Sequence, residues 1–155
     1  MVNNLMKYIK EGTALELNVA FLYANFYLTF PEDYDFWYAL SSEEVNHASL
    51  LRSCEEFQKV GDINIDISDT EIEVLSNLNK KFKDIISDFK QNPTRKKCFD
   101  IAMKLENSAG EIHYQKFMMN PEKNDRLSNV LKKLNDDDIN HHERIKKYMI
   151  DNKIV

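Results

Sequence analysis

Asp137-Asp138-Ile139-Asn140-His141 nearly repeats an earlier stretch, Glu43-Glu44-Val45-Asn46-His47. Each places a carboxylate three residues ahead of a histidine. On an α-helix, residues three apart project from one face about 5–6 Å apart, so a carboxylate and an imidazole at that spacing can grip one ion. Around the later copy, Leu127, Leu131, Leu134, Asp138, His141, Ile145 and Tyr148 follow at steps of four and three, the period of one helix face. Asp138 and His141 therefore belong to an apolar stripe. The earlier copy reads the same way, with Leu40, Glu44, His47, Leu51 and Cys54 on one face and Glu43 one residue off it. An acidic residue precedes each copy in a matching setting, Ala14-Leu15-Glu16 and Lys104-Leu105-Glu106.

These stripes predict an all-α chain, and the helix breakers divide it. Pro31, Gly61, Pro93 and Pro121 fall at intervals of about 30 residues. Thr13, Glu16, Ala20, Tyr23 and Tyr27 line one face of the first segment, and Phe99, Ala102, Glu106, Ala109, His113 and Phe117 line one of a later segment. Short connections at Pro31 to Asp35 and at Asn120 to Lys123 predict two antiparallel helical hairpins, because closely linked helices pack side by side. Between the hairpins, Gly61 to Asp69 reads as a loop. Ser68 and Glu71 then form a capping box for a further helix carrying Ile72, Leu75, Leu78, Phe82, Ile85, Ile86 and Phe89. That helix has no inward carboxylate with a histidine partner, so it reads as the crossover.

Composition narrows the functional classes. A chain of 155 residues suits a single domain spanning 1–155, able to bury roughly 68–70% of its unfolded surface. Only three Gly and three Pro beside 43% hydrophobic residues favour long helices over disorder or a β fold. A formal charge of −5 leaves no basic footprint for nucleic acid or an anionic membrane. The opening residues lack a basic region followed by an apolar run, and no stretch approaches about 18 apolar residues, so the expected setting is soluble and cytoplasmic. Cys54 and Cys98 form no Cys-x-x-Cys pair, which excludes a zinc ribbon or a rubredoxin-type iron site.

Four carboxylates on inward faces require compensation, because burying an ionised group alone costs several kcal/mol. Two divalent ions carry the charge that cancels four carboxylates while both histidines stay neutral. Mixed carboxylate and imidazole ligation suits iron or manganese. The bland alternatives divide the same residues differently. Acidic runs are commonly solvated faces, which fits Asp136 and Asp137. His142 reads as exposed. Tyr23 is either a core residue or a hydrogen-bond donor to a ligating carboxylate, and His113, seven after Glu106, has the same choice with replacement ligand as a third. Phe21 to Tyr38 holds more than half of the aromatic residues, a core and homodimer contact before it is an electron path.

As an ordered set, Glu16 with Tyr23 seven later, Glu44-x-x-His47, Glu106 and Asp138-x-x-His141 resembles the ferritin-like superfamily, in which two helices each give a glutamate and two give Glu-x-x-His. Within it the chain resembles the rubrerythrin di-iron domain over nearly its whole length. The resemblance implies a ferritin-like four-helix bundle holding two iron ions, bridged by Glu44 and Asp138, with Glu16 and Glu106 as terminal ligands and His47 and His141 each capping one metal. Three departures stand out: Asp138 replaces the usual glutamate, Ala109 and Gly110 stand where rubrerythrins carry an extra carboxylate, and no rubredoxin domain follows.

The resemblance implies reduction of hydrogen peroxide or dioxygen in defence against oxidative stress, with electrons from an external rubredoxin or flavoprotein. A ferritin-like iron-binding ferroxidase and a manganese catalase-like enzyme are the alternative readings. A metal-free interaction bundle is the third, and it would have to tolerate a charged core.

Overall fold

The computed structural model describes residues 4–59, 67–119 and 126–155, and the side chains of residues 58 and 110–119 fall outside that description. Among the described residues the chain is all-helical: α1 (Asn4–Thr29), a 3₁₀ turn (Pro31–Asp33), α2 (Tyr34–Lys59), α3 (Asp69–Gln91), α4 (Arg95–Met119) and α5 (Arg126–Asp151). The helix breaks fall where the sequence places them, at Pro31, before Ser68 and at Pro93; the expected connection from Asn120 to Lys123 and residues 61–66 of the expected loop lie outside the described residues. The chain divides into two compact units, Met1–Asp88 with Asp125–Leu127, and Phe89–Asn124 with Ser128–Val155.

The first unit is built on the hairpin of α1 and α2. Phe30 donates its N–H to the Phe26 carbonyl at 2.8 Å as the last helical bond of α1. Its own φ of −123° and ψ of 83° then leave the helical region, as expected of a residue preceding proline. The 3₁₀ turn from Pro31 reverses the chain directly into α2. Register along the pair is antiparallel: a Cβ on Gly12 would lie 3.3 Å from the Leu51 side chain, Glu16 lies against His47, and the Ser41 hydroxyl donates to the Ala20 carbonyl at 2.9 Å. Tyr23, Phe26 and Trp37 are fully buried between the two helices, with ring centroids 5.0–5.8 Å apart.

Helix α3 begins at the expected capping box. The Glu71 carboxylate accepts from the Ser68 N–H and from its hydroxyl, both at 2.8 Å, and the Ser68 hydroxyl oxygen accepts from the Glu71 N–H at 3.3 Å. Asn79 ties α3 to α1: its amide donates to the Glu11 carbonyl and carboxylate at 2.9 Å and accepts from Asn18 at 3.0 Å. Of its expected apolar stripe Leu75, Phe82 and Phe89 are buried, while Ile72, Leu78, Ile85 and Ile86 are half-buried.

The second unit holds the hairpin of α4 and α5. Helix α4 is capped by Thr94, whose hydroxyl oxygen accepts from the Lys97 N–H at 3.1 Å. Phe99 stacks on Tyr148 with centroids 5.6 Å apart, and Glu106 lies against His141. Seven residues forward on α4 are thus matched by seven back on α5, an antiparallel register. Helix α5 closes in a Schellman motif: Ile154 N–H donates to the Met149 carbonyl at 2.9 Å and Lys153 N–H to the Ile150 carbonyl at 3.2 Å. Lys153 takes the left-handed position with φ of 54°, and Ile154 is buried behind it.

Candidate metal centre

Each hairpin brings one carboxylate from its first helix to an acid-x-x-His pair on its second. In the first unit, His47 Nδ1 lies 3.0 Å from a Glu44 carboxylate oxygen and 3.6 Å from Glu16. One ligand atom from each of the three residues falls within 4.8 Å of the others. In the second unit His141 Nδ1 lies 3.5 Å from Glu106, and Glu106, Asp138 and His141 offer ligand atoms within the same 4.8 Å limit. It is Nδ1 in both hairpins that meets the carboxylates. None of the six residues is more than 3% exposed.

The local reason for this burial is helical phase. Leu40, Glu44, His47, Leu51 and Cys54 are all buried on α2, and Leu127, Leu131, Leu134, Asp138, His141 and Ile145 on α5, so the ligand candidates occupy core positions between leucines. Neighbouring acids fall off the stripe. Asp136 is exposed, and Asp137 takes a 2.6 Å ion pair with Lys133 one turn earlier. His142, expected to be exposed, is half-buried and lies 3.7 Å from Glu143; four residues after the buried Asp138, it stands on the flank of the inward stripe.

Buried acids close to one imidazole force an electrostatic response. Burial opposes a charge on His47, but its contacts with Glu16 and then Glu44, added to the charges of both, outweigh that and push its pKa up to about 11. A proton on Nδ1 then occupies the point on which both carboxylates converge. A divalent cation satisfies the same point with more charge, and two carboxylates with one imidazole at bonding reach are the donor set that first-row divalent ions take. The residues present therefore fit a metal ion in each hairpin.

Among the other residues singled out in the sequence, Tyr23 is fully buried against Phe26 and Trp37, two helical turns beyond Glu16. The backbone at His113 is helical, and its side chain lies outside the described residues. Two buried hydroxyls were not anticipated as functional. Tyr8 and Thr13, 2% and 7% exposed, place hydroxyl oxygens in the interior with no hydrogen-bond partner among the described residues. Burial, then the charges of Glu71 and Glu16, raise the Tyr8 pKa well above the usual phenol range. Thr13 stands on the inward stripe in the sequence, but no sequence signal shows that its hydroxyl lacks a partner.

Compared with known proteins, the chain matches no protein-family model, no curated protein and no solved structure.

Proposed function

We propose that the two hairpins pack as a ferritin-like four-helix bundle around a dinuclear iron centre, and that the protein reduces hydrogen peroxide with electrons from an external donor, as a rubrerythrin-like enzyme does. The observation that carries this reading is the duplication of one buried half-site, Glu16 with Glu44 and His47, and Glu106 with Asp138 and His141, on two hairpins of the same antiparallel register. A single acid-x-x-His on a helix is ordinary. Two buried copies, each completed by a glutamate from the neighbouring helix, give four carboxylates and two imidazoles, the balance for two divalent ions.

In this reading Glu16, Glu44 and His47 would hold one ion and Glu106, Asp138 and His141 the other, with Glu44 and Asp138 the carboxylates that the two ions would share. A bound pair of redox-active ions would supply the two electrons that reduction of a peroxide needs. The protein's part is to hold the ligands and exclude water. Leu51, four residues after His47, and Leu134, four before Asp138, are fully buried, and the four carboxylates themselves are buried from competing solvent. His47 gives up its Nδ1 proton as a cation enters. In this reading the electrons for the next cycle would come from an external rubredoxin or flavoprotein.

We place the protein in the cytoplasm as a homodimer. No helix among the described residues is long and apolar enough to cross a membrane, and the exposed Phe21, Tyr34 and Tyr38 offer apolar surface for a second copy.

The deciding experiment mixes anaerobic, ferrous-loaded protein separately with peroxide and with dioxygen. Peroxide is expected to oxidise it faster, in one turnover, with cycling restored by a rubredoxin, its reductase and a nicotinamide donor. Oxygen evolution without a reductant reveals a catalase instead, and accumulation of iron beyond two ions per chain reveals a storage protein.

A further inference from the structure

Thr13 carries a hydroxyl on the inward face of α1, one turn before Glu16, that the proposed ligand set does not use. Its hydroxyl is buried and has no partner among the described residues. A threonine within a helix usually returns its hydroxyl to a carbonyl three or four residues earlier, as Thr29 does to Asn25 at 2.7 Å. Thr13 does not. A buried hydroxyl left unmet costs about 1–3 kcal/mol, and such a group in a folded protein calls for an explanation.

Its position supplies one. Thr13 precedes Glu16 by three residues on α1, so the two side chains are neighbours on the helix surface. Helical side chains lean toward the N-terminus, which carries the Glu16 carboxylate back toward the Thr13 turn. The charge of Glu16 is felt as far back as Tyr8. The half-site formed by Glu16, Glu44 and His47 offers three ligands, and even with Asp138 shared it holds fewer donors than an octahedral ion takes, which leaves a position for a small exogenous donor.

We propose that the Thr13 hydroxyl hydrogen-bonds the small oxygen-donor molecule, water, hydroxide or peroxide, that completes a metal ion at the Glu16, Glu44 and His47 half-site. This rests on the metal-binding reading above. The duplicated half-site lacks the device: Met103 stands three before Glu106, and a thioether offers only a weak acceptor. The two halves are therefore chemically unequal, and exogenous ligands favour the first. Thr13 is a positioning residue and does not ligate the ion.

The test uses the full chain loaded with cobalt(II), whose visible bands report coordination, titrated with azide as the probe. Thr13→Val keeps the shape and removes the hydroxyl. It is expected to leave cobalt affinity within twofold and to weaken azide binding by about five- to tenfold, the value of one hydrogen bond. Thr13→Ser is expected to restore azide affinity, and the metal-free Thr13→Val chain to melt no lower than the parent. Thr13→Ala repeats the azide measurement if the valine variant fails to fold. Azide affinity unchanged in Thr13→Val or Thr13→Ala, with cobalt still bound, overturns the inference while leaving the metal site standing. Failure of the parent chain to bind cobalt overturns both.

Discussion

At the residue scale, His47 shows how far buried electrostatics can move one side chain. Its folded pKa is raised from the ordinary 6.5 to about 11. A group raised in this way contributes its stability in full below its unfolded pKa and loses it as pH rises through the folded value. Metal-free protein is therefore expected to become less stable between about pH 6.5 and 11, and His47→Gln to flatten that slope, as read from melting temperatures across the range. The sign reverses for a cation, which must displace the proton. Binding of the first metal ion near pH 7.5 is expected to release close to one proton, measured by calorimetry in buffers of differing ionisation enthalpy; release of none contradicts a protonated His47.

Lys153 is the opposite case, a residue strained for the sake of the backbone. It holds the left-handed position of the Schellman motif, which costs a side-chain-bearing residue roughly 1–2 kcal/mol where glycine adopts it freely. Glycine has more backbone freedom to lose on folding, so Lys153→Gly is expected to stabilise the chain by about 0.5–1 kcal/mol in chemical denaturation. The sequence carries no glycine there to announce the helix end. Ile154 does the work instead, by burying its side chain across the last turn.

At the element scale, local signals were legible wherever a short range of chain contains its own partner. Ser68 and Glu71 are three apart, and the reciprocal bonds they form in the structure are those the spacing predicts. Ser68→Ala is expected to cost about 1 kcal/mol, with Glu71→Ala similar, and the double variant to cost less than the two separately because they share one motif; full additivity in urea denaturation would show that they act independently. Thr94 was less legible, since Pro93 marks the break in sequence but only the bond to Lys97 identifies the cap. The registers of α1 on α2 and of α4 on α5 belong to this scale too. Short connections predict antiparallel helices, but no periodicity says that Glu16 meets His47, because that pairing depends on how the turn at Pro31 sets one helix against the other.

At the scale of the whole molecule, the governing fact is that six polar ligand candidates occupy core positions. Without cations the carboxylates repel one another, so chelator-treated protein is expected to melt about 5–10 °C below metal-loaded protein when the ion is about a hundredfold above its Kd. The double variant Glu44→Ala with Asp138→Ala should abolish the metal-dependent gain in a thermal scan. An equal metal-dependent rise in that variant would place the ions elsewhere.

The sequence by itself determined the helical class, three of the described helix breaks, the inward phase of Glu16, Glu44, His47, Glu106, Asp138 and His141, and the capping of α3. All of these follow from periodicity and spacing along one element, and a helix fixes which residues share a face before anything packs against it. Only the tertiary structure decided that Nδ1 of each histidine faces the carboxylates, that two acids converge on His47, and that the hydroxyls of Tyr8 and Thr13 are buried without a partner among the described residues. Those facts depend on helix register and on the rotamers that packing selects, where a shift of one residue or one χ angle exchanges one partner for another.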